Sequence, residues 1–263
     1  MTARAPARGR RGDGGLGGAQ VEGRQAVREL LLARRRRVHE VLVADGREPS
    51  RVLDEIATLA LRVGTPVRRV GVAQLVERSA SEVPQGVLAT ADPLEAAELE
   101  TLTRRDGGVR PFLVVLDGVT DPHNLGAILR SALCAGATGA VLPRHRSAHV
   151  TATVAKAAAG AIEHLPIALV PGVGAALELL RREGVWTVGL DGDGDVDVHE
   201  LSLASEPLAL VLGAEGRGLG RLTRDRCDVL ARVPLAGPIA SLNVSAAAAV
   251  ACFAVARARS AAL

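Results

Sequence analysis

The feature that most constrains the fold is a regular alternation of short apolar runs and helical patterns after Pro111. Most of the runs, such as FLVVL and LALVL, are apolar without interruption. Such runs are typical of strands buried on both faces of a mainly parallel sheet that helices cover. The sequence therefore predicts an α/β fold. The predicted strands are 112–116, 139–142, 166–169, 185–190, 208–212 and 229–233, and the predicted helices are 124–135, 150–161, 173–183 and 243–260.

A smaller unit that also alternates α and β precedes this region, which indicates a second layered domain. It reads as a helix at 20–36, a strand at 38–44, a helix from Ser50 to Val63, a strand at 66–70, a helix at 72–79 and a strand at 86–91. The polar segment that follows contains Gly107-Gly108, which is typical of a connector. The predicted division is a disordered basic tail at 1–19, a small domain at 20–92, a linker at 93–110 and the main domain at 111–263.

Charge is distributed unevenly along the 263 residues. Residues 1–37 hold ten arginines against three carboxylates, a net charge of +7, whereas the remaining residues sum to −4. A basic segment of this kind favours a polyanionic partner, and nucleic acid is the natural candidate. A solvated tail without a partner is the alternative for residues 1–19. With only three aromatic residues, recognition by stacking bases on an aromatic platform is disfavoured.

Several function classes are disfavoured by the sequence. No apolar run reaches the roughly 18 residues that a bilayer crossing requires, so no membrane partner is expected. The opening Arg/Gly stretch is not a signal peptide, which favours a cytoplasmic protein. Cys134, Cys227 and Cys252 lie far apart, which predicts reduced, buried thiols and no zinc cluster. DGDGDVD at 191–197 departs from a calcium loop because Val196 stands where glycine is needed, so no metal is expected.

Three loops after predicted strands carry the residues suited to chemistry, since ligands in such sheets bind beyond the carboxyl ends of the strands. In the first loop, Asn124 is placed to cap a helix that carries Arg130. The second loop surrounds Glu215 with glycines but lacks the dinucleotide fingerprint. The third offers Ser241 and Asn243 before an alanine-rich helix suited to a subunit interface. For each segment alone, helix capping or a surface position is a sufficient explanation.

Taken together, these three segments resemble, in order and spacing, the signature motifs of the SpoU (TrmH-like) 2′-O-ribose RNA methyltransferases of the SPOUT class. The resemblance covers roughly residues 111–260. The unit that opens with VEGRQAVREL at 21–30 and closes with QGVLA at 85–89 is similar to the family's L30e-like substrate-binding domain. Bacterial enzymes that methylate a guanosine ribose of 23S rRNA are the members it resembles most. Pro84 departs from the histidine that many relatives carry before the QG pair, which puts the target nucleotide in doubt.

The resemblance implies a site, a cofactor and an assembly. The implied catalytic residues are Asn124, Arg130, Glu215, Ser241 and Asn243, and main chain around Leu190, Gly213, Val233 and Leu242 would bind S-adenosylmethionine. The family also implies a C-terminal trefoil knot, a homodimer and an RNA substrate. Neither the knot nor the dimer follows from periodicity or spacing.

The family usually assigns the base role to Arg130, yet a guanidinium with a pKa above about 12 rarely releases a proton. Our hypothesis is that Arg130 stabilises developing charge and grips a substrate phosphate, with Ser241 orienting it. Glu215 and Asn124 would hold the motif loops in register. The alternatives are a tRNA or antibiotic-resistance rRNA methyltransferase, a non-catalytic RNA-binding or assembly protein, and a nicotinamide-dependent enzyme, which lacks its fingerprint.

Overall fold

The computed structural model describes residues 16–45, 50–81, 84–145, 149–239 and 241–261. Its first unit holds a four-stranded sheet of order β1-β4-β2-β3, in which β2 and β3 are parallel and the other pairs antiparallel. The elements of this unit are β1 Gln20–Glu22, α1 Arg24–Ala33, β2 Val38–Asp45, α2 Arg51–Arg62, β3 Val67–Gly71, α3 Val72–Arg78 and β4 Val87–Ala91.

The second unit holds a seven-stranded sheet of order β7-β6-β5-β10-β8-β11-β9, and all six neighbouring pairs are parallel. The predicted mainly parallel α/β fold is therefore confirmed. Its strands are β5 Phe112–Leu116, β6 Gly139–Pro143, β7 Ile167–Val170, β8 Trp186–Leu190, β9 Val196–Asp197, β10 Leu208–Leu212 and β11 Val229–Arg232. Its helices are α4 Leu99–Leu102, α5 Pro122–Cys134, α6 Ala152–Ala157, α7 Val173–Arg182, α8 Arg221–Arg226 and α9 Val244–Ala261.

The central strands are apolar throughout because helices cover both faces of the sheet. Alternate residues of β5 face opposite sides: Phe112 and Val114 pack in the cluster that includes α5 and α9, and Leu113 and Val115 pack in the cluster that includes α7. All five residues of β5 and all five of β10 are buried. Burying one such side chain contributes about 1.5–3 kcal/mol, so these two strands anchor the sheet.

Several local expectations were wrong. Residues 20–22 form a strand instead of the start of a helix, because Val21 pairs with Ala89 of β4. The helix predicted over 150–161 ends at Ala157, and a 3-10 turn follows at Ala161–Glu163. The break occurs at Ala159 (φ 49°) and Gly160 (φ 86°), two left-handed residues. A Cβ on Gly160 would collide with Cβ of Glu29. The glycine therefore allows α1, which carries Glu29, to pack directly against this turn.

The two units share one hydrophobic core and a buried ion pair. One cluster of buried side chains includes α1, β4, β5, α5 and α9. Beside it, Nη2 and Nε on one edge of the Arg36 guanidinium contact Glu163, with Nη2 at 2.6 Å from Oε1 and Nε at 3.0 Å from Oε2. The two side chains are 5% and 1% exposed. Arg36 Nη1 also donates to the carbonyls of Gly18 and Asp92, so one guanidinium joins four parts of the chain.

The segments predicted as a tail and a linker partly belong to the fold. Residues 1–15 of the tail lie outside the described residues, but Leu16 is buried and its carbonyl accepts from the N–H of Val150. In the linker, Ala97 bridges to Ala168 of β7, and Leu99 and Leu102 pack in the core around α7. The connection between the two sheets is therefore anchored at Ala97, Leu99 and Leu102, whereas most of its other described residues are exposed.

Helix α9 is the one described helix that is long and apolar enough to be compared with a membrane span. Val244–Ala261 has 18 residues and a mean hydropathy of 1.3, enough to cross a membrane by length and composition. Its alanines produce this value, and they also pack closely: Ala248, Ala251 and Val255 are buried in the shared core. One side of the helix therefore packs in the core of the fold, and 28% of the helix is buried.

The cysteine expectation holds only in part. Cys252 is buried, Cys227 is half-buried and Cys134 is exposed at the end of α5. Burial raises the pKa of the Cys252 thiol to about 12. For Cys227, burial and the nearby carboxylate of Asp228 raise the pKa to about 12. Both thiols are therefore protonated and unreactive at neutral pH.

Candidate active site

A cleft opens where four neighbouring strands of the large sheet end. β10 lies between β5 and β8, and β11 lies on the far side of β8, so the loops that follow these parallel strands meet at one edge. The cleft has a volume of about 450 Å³, within the range of small-molecule sites. Its lining residues are Leu190, Asp191, Gly192, Leu212, Gly213, Ala214, Glu215, Gly216, Gly218, Val233, Leu235, Ser241, Leu242, Asn243, Val244 and Ala247.

The glycine loop after β10 presents main chain to this cleft. Ala214 and Gly218 exchange two backbone hydrogen bonds of 2.9 Å each, which closes a tight turn. Gly216 and Gly218 have φ values of 75° and 64°, a region that favours glycine. A Cβ on Gly213 would collide with the backbone of Gly218. The turn therefore requires its glycines and carries Glu215 at its tip.

Three polar side chains from three different loops form one hydrogen-bonded network. Asn124 Nδ2 donates to Glu215 Oε2 at 3.0 Å. Asn243 Nδ2 donates to Glu215 Oε1 and to Asn124 Oδ1, both at 3.1 Å. Asn124 is 7% exposed, whereas Glu215 and Asn243 are exposed beside the cleft. The network ties the loops after β5, β10 and β11 to each other.

Helix capping leaves both asparagine amides free for this network. Asn243 caps α9 as expected: its Oδ1 accepts from the Ser245 backbone at 2.8 Å, and its Nδ2 remains available. The expectation that Asn124 caps α5 was wrong. Asp121 caps that helix by accepting from the Asn124 backbone at 3.0 Å, and Pro122 occupies the first helical position, where its missing N–H costs nothing. Asn124 lies in the first turn of α5, and its side-chain amide is free to donate to Glu215.

The cleft also gathers the residues that the resemblance assigned to the cofactor. Leu190 and Gly213 lie at the ends of β8 and β10, Val233 follows β11, and Leu242 precedes α9. Ser241 lines the same cleft and is exposed. Apolar side chains and the loop main chain thus form the walls, and polar groups lie on one side.

The structure does not bring Arg130 into the cleft wall. It is exposed on α5, six residues or about 9 Å of helix beyond Asn124. Within the described ranges it makes no hydrogen bond or ion pair. Arg130 shares its solvent face with His123, Ala127 and Cys134, which follow the helical spacing. This guanidinium is therefore an unpaired charge that faces outward from the motif that carries it.

Two acidic residues at this edge were not predicted. Asp191 lines the cleft directly after β8; its side chain is 13% exposed and lies 3.5 Å from Nη1 of Arg224. Asp117 directly follows β5 and accepts from the backbone of Gly220 at 3.3 Å. Both are the first residue after a buried strand, which is the signal that could have found them. Asp191 is also the first residue of the DGDGDVD segment, whose spacing was interpreted only as a departure from a calcium loop.

Comparisons with known proteins extend over nearly the whole chain. The SpoU rRNA Methylase family matches residues 111–253, and the family of RNA 2′-O ribose methyltransferase substrate-binding domains matches residues 20–97. A protein of Pseudomonas aeruginosa named 23S rRNA (guanosine-2′-O-)-methyltransferase RlmB is 43% identical over 246 residues, covering 91% of this chain and 96% of the relative. The Escherichia coli K12 protein of the same name is 39% identical, covering 91% of this chain and 98% of its own.

Solved structures show the same architecture. The SpoU methyltransferase AviRb of Streptomyces viridochromogenes, crystallised with the cofactor AdoMet, superimposes with a TM-score of 0.75 at 26% identity, covering 92% of this chain and 90% of that chain. An AdoMet-bound rRNA methyltransferase of Sinorhizobium meliloti gives 0.74 at 25% identity, covering 91% and 87%. Both units of the chain therefore have counterparts in related folds.

Proposed function

Because the chain belongs to the SpoU rRNA methylase family, we propose that it transfers a methyl group from S-adenosylmethionine to a ribose 2′-hydroxyl of RNA. The proposed target is a guanosine of 23S rRNA, as the names of its relatives suggest, and the proposed location is the cytoplasm. The observation that carries this proposal is the network of Asn124, Glu215 and Asn243. It joins three loops around a cleft of ligand size, and a binding module would not need all three of them.

The cleft fits S-adenosylmethionine by shape and chemistry. Its volume of about 450 Å³ and its apolar walls suit an adenosine, and the main chain of the glycine loop can reach a ligand without side-chain obstruction. Leu190, Gly213, Val233 and Leu242 would hold the cofactor there. When bound, the cofactor supplies an electrophilic methyl group on a sulfonium.

The chain itself must make a ribose hydroxyl reactive. Such a hydroxyl attacks poorly unless its developing negative charge is stabilised in line with the methyl group. Arg130 carries a permanent positive charge without a protein partner in the described ranges, which suits it to stabilise that charge and to grip a phosphate. Ser241, exposed in the cleft wall, would orient Arg130 once RNA or a second copy of the chain brings the two side chains together. Asn124, Glu215 and Asn243 act as positioning residues for the loops.

A homodimer would complete this arrangement. Arg130 faces outward, so the surface that it serves must come from RNA or from a second copy of the chain. Helix α9 exposes Phe253 to 52% although most of its neighbours are apolar, and α9 packs against α5. We include a homodimer in the proposal for this reason. Close contact between α9 helices of two copies would place the outer face of α5 near the partner.

The trefoil knot and the L30e-like character of the first unit are also proposals. β10 and β11 insert between strands formed earlier in the chain, and this connectivity is compatible with the knot that the family implies. The first unit, with four strands and three helices, would bind the RNA substrate.

The experiment that tests the function uses labelled S-adenosylmethionine and unmodified total RNA. The RNA is separated by size, and labelled riboses are mapped by reverse-transcription stops at low dNTP. We expect label in 23S rRNA at one guanosine. Label in tRNA would replace the substrate, and cofactor binding without label in any RNA would contradict the proposed activity.

Arg130→Lys tests the role of the guanidinium. The variant keeps the positive charge and loses the planar fork, so we expect kcat to fall while affinity for S-adenosylmethionine is unchanged. Arg217→Lys, on the exposed tip of the glycine loop, is the matched control. Turnover of Arg130→Lys close to that of the unmodified protein would contradict a bidentate role.

A further inference from the structure

We propose that a second cleft, in the N-terminal unit, binds backbone phosphates of the RNA substrate. This inference rests on the proposed function and assigns part of the RNA contact to named residues. The cleft has a volume of about 400 Å³ and lies between the end of α1, the start of β2 and the end of α2. Its charged lining consists of Arg34, Arg36, Arg37 and Arg62, and no carboxylate lies among its described lining residues.

The charges of this cleft are unusual for the unit that contains it. The other described arginines of residues 16–92 have partners. Arg28, Arg51, Arg68, Arg69 and Arg78 form ion pairs with carboxylates, and Arg24 and Arg35 donate to carbonyls. The guanidinium groups of Arg34, Arg37 and Arg62 form no hydrogen bond or ion pair within the described ranges, and all three residues are exposed. The unpaired guanidiniums of the unit therefore converge on one concave surface.

Arg36 lines the same cleft but, unlike Arg34, Arg37 and Arg62, has a carboxylate partner. It belongs to the same run of four arginines, yet its charge is neutralised by Glu163 in the buried ion pair. Arg34 and Arg37, on either side of it, remain unpaired. Within this run, Arg36 therefore joins the two units, and Arg34 and Arg37 supply unpaired charge to the cleft.

The backbone at Arg34 supports a binding role. Arg34 ends α1 in the left-handed conformation, with φ 51° and ψ 27°, a position where glycine is the usual residue. A residue with a Cβ is strained in this conformation, and such strain is concentrated at ligand sites. A glycine would relieve the strain and would remove one of the three free guanidiniums.

The chemistry of the cleft selects a phosphodiester. Guanidinium forks match phosphate oxygens in a bidentate manner, and no aromatic side chain lines the cleft to stack a base. The cleft also includes Thr65, whose hydroxyl forms no hydrogen bond within the described ranges. Since residues 111–263 hold 13 basic and 14 acidic side chains, a net charge of −1, the large-sheet unit supplies little long-range attraction for RNA. The cleft would supply the positive charge that keeps RNA on the protein.

The test compares two triple variants of the full-length protein. Arg34, Arg37 and Arg62 are replaced by alanine in one, and Arg51, Arg68 and Arg69 in the matched control, which loses the same charge from the same unit. Binding of a 23S rRNA fragment is measured against salt concentration. Each lost phosphate contact lowers the slope of log K against log salt by about 0.7. We expect the slope to fall by about 2 in the cleft variant and by less than 1 in the control.

Kinetics with the same variants separate this inference from the proposed function. We expect the KM for RNA to rise at least tenfold in the cleft variant, with kcat and the Kd for S-adenosylmethionine unchanged. Replacing the same three arginines by lysine should restore most of the slope. If the alanine variant does not fold, the three single variants replace it, and each should lower the slope by about 0.7.

The outcomes are distinguishable. An unmodified protein that methylates rRNA, together with a cleft variant of unaltered slope and KM, overturns the cleft and leaves the proposed function standing. An equal loss in the control variant also overturns the cleft, because the effect would then be general charge. An unmodified protein that binds RNA but transfers no methyl group overturns the proposed function. The salt dependence of RNA binding in the two triple variants then still tests whether the cleft binds phosphates.

Discussion

The molecule contains two polar clusters that are built in opposite ways. The ion pair of Arg36 and Glu163 is closed: its side chains are 5% and 1% exposed, and the Arg36 guanidinium donates only to protein groups, although Arg36 borders the second cleft. The network of Asn124, Glu215 and Asn243 lies beside an open cleft, with two of its three members exposed. Buried charge is costly unless it is fully paired, so the first cluster can only be structural. The network of Asn124, Glu215 and Asn243 is accessible to a ligand, because two of its members are exposed at the cleft.

The largest expected effect belongs to the closed cluster. Glu163→Ala leaves the Arg36 guanidinium buried without its partner, and removing one member of a buried pair costs about 3–5 kcal/mol. The free energy of unfolding from a denaturant titration measures this loss. Glu55→Ala, which removes the exposed partner of Arg51, is the control and should cost less than about 1 kcal/mol. A similar cost for both variants would show that the buried pair has no special role.

A smaller loss of stability is expected at the turn between the two units. Gly160→Ala forces a side chain into a left-handed position, where its Cβ collides with Glu29. We expect a cost of about 2–4 kcal/mol, larger than the roughly 1 kcal/mol for the conformation alone. Gly64→Ala isolates the collision, because Gly64 has a similar φ of 76° and no atom within 4 Å of the added Cβ. Equal melting temperatures of the two variants would contradict a close approach at Gly160.

The open cluster is expected to affect activity more than stability. Asn124→Ala removes the donor to the Glu215 carboxylate and the acceptor for Asn243, and a hydrogen bond to a charged group contributes about 1.5–3 kcal/mol. We expect kcat/KM for methyl transfer to fall about 10- to 100-fold, since 1.36 kcal/mol corresponds to a factor of ten. Gln25→Ala is a matched control, because the Gln25 amide also donates to a carboxylate, that of Glu29, far from the cleft. Unchanged kcat/KM in Asn124→Ala would show that the network does not position the site.

The same contrast explains which parts of the structure the sequence could predict. Strands β5 and β10 were predictable because burial on both faces leaves an uninterrupted apolar run. The strand at Gln20–Glu22 was not, since three residues show no periodicity and only pairing with β4 makes them a strand. For the site, Asn124 and Glu215 are 91 positions apart in the chain. No local pattern reveals that contact, so their joint assignment depended on the family resemblance, and the cap at Asp121 was overlooked.

The smallest expected effect concerns a third cluster, a buried carboxylate whose donors come from the protein alone. Burial by itself would raise the pKa of Glu22, but hydrogen bonds from Ser79, Ser81, the Ala80 backbone and Gln20 outweigh it and hold the pKa below its ordinary value of 4.5. A lowered pKa in the folded state contributes stability that is complete above about pH 4.5 and is lost as the pH falls through the folded value.

Glu22→Gln should therefore reduce the loss of unfolding free energy that occurs as the pH falls below 4.5. The variant is expected to be less stable than the unmodified protein at pH 7, and the difference should narrow as the pH falls below 4.5, because only the unmodified protein must take up this proton. Denaturant titrations at several pH values measure the difference, with Glu77→Gln on the exposed side of α3 as the control. A difference that stays constant down to pH 3 would mean that the hydrogen bonds to Glu22 stabilise its charged and neutral forms equally. In that case Glu22 would resemble the closed pair of Arg36 and Glu163 in being structural, but would contribute nothing to the pH dependence of folding.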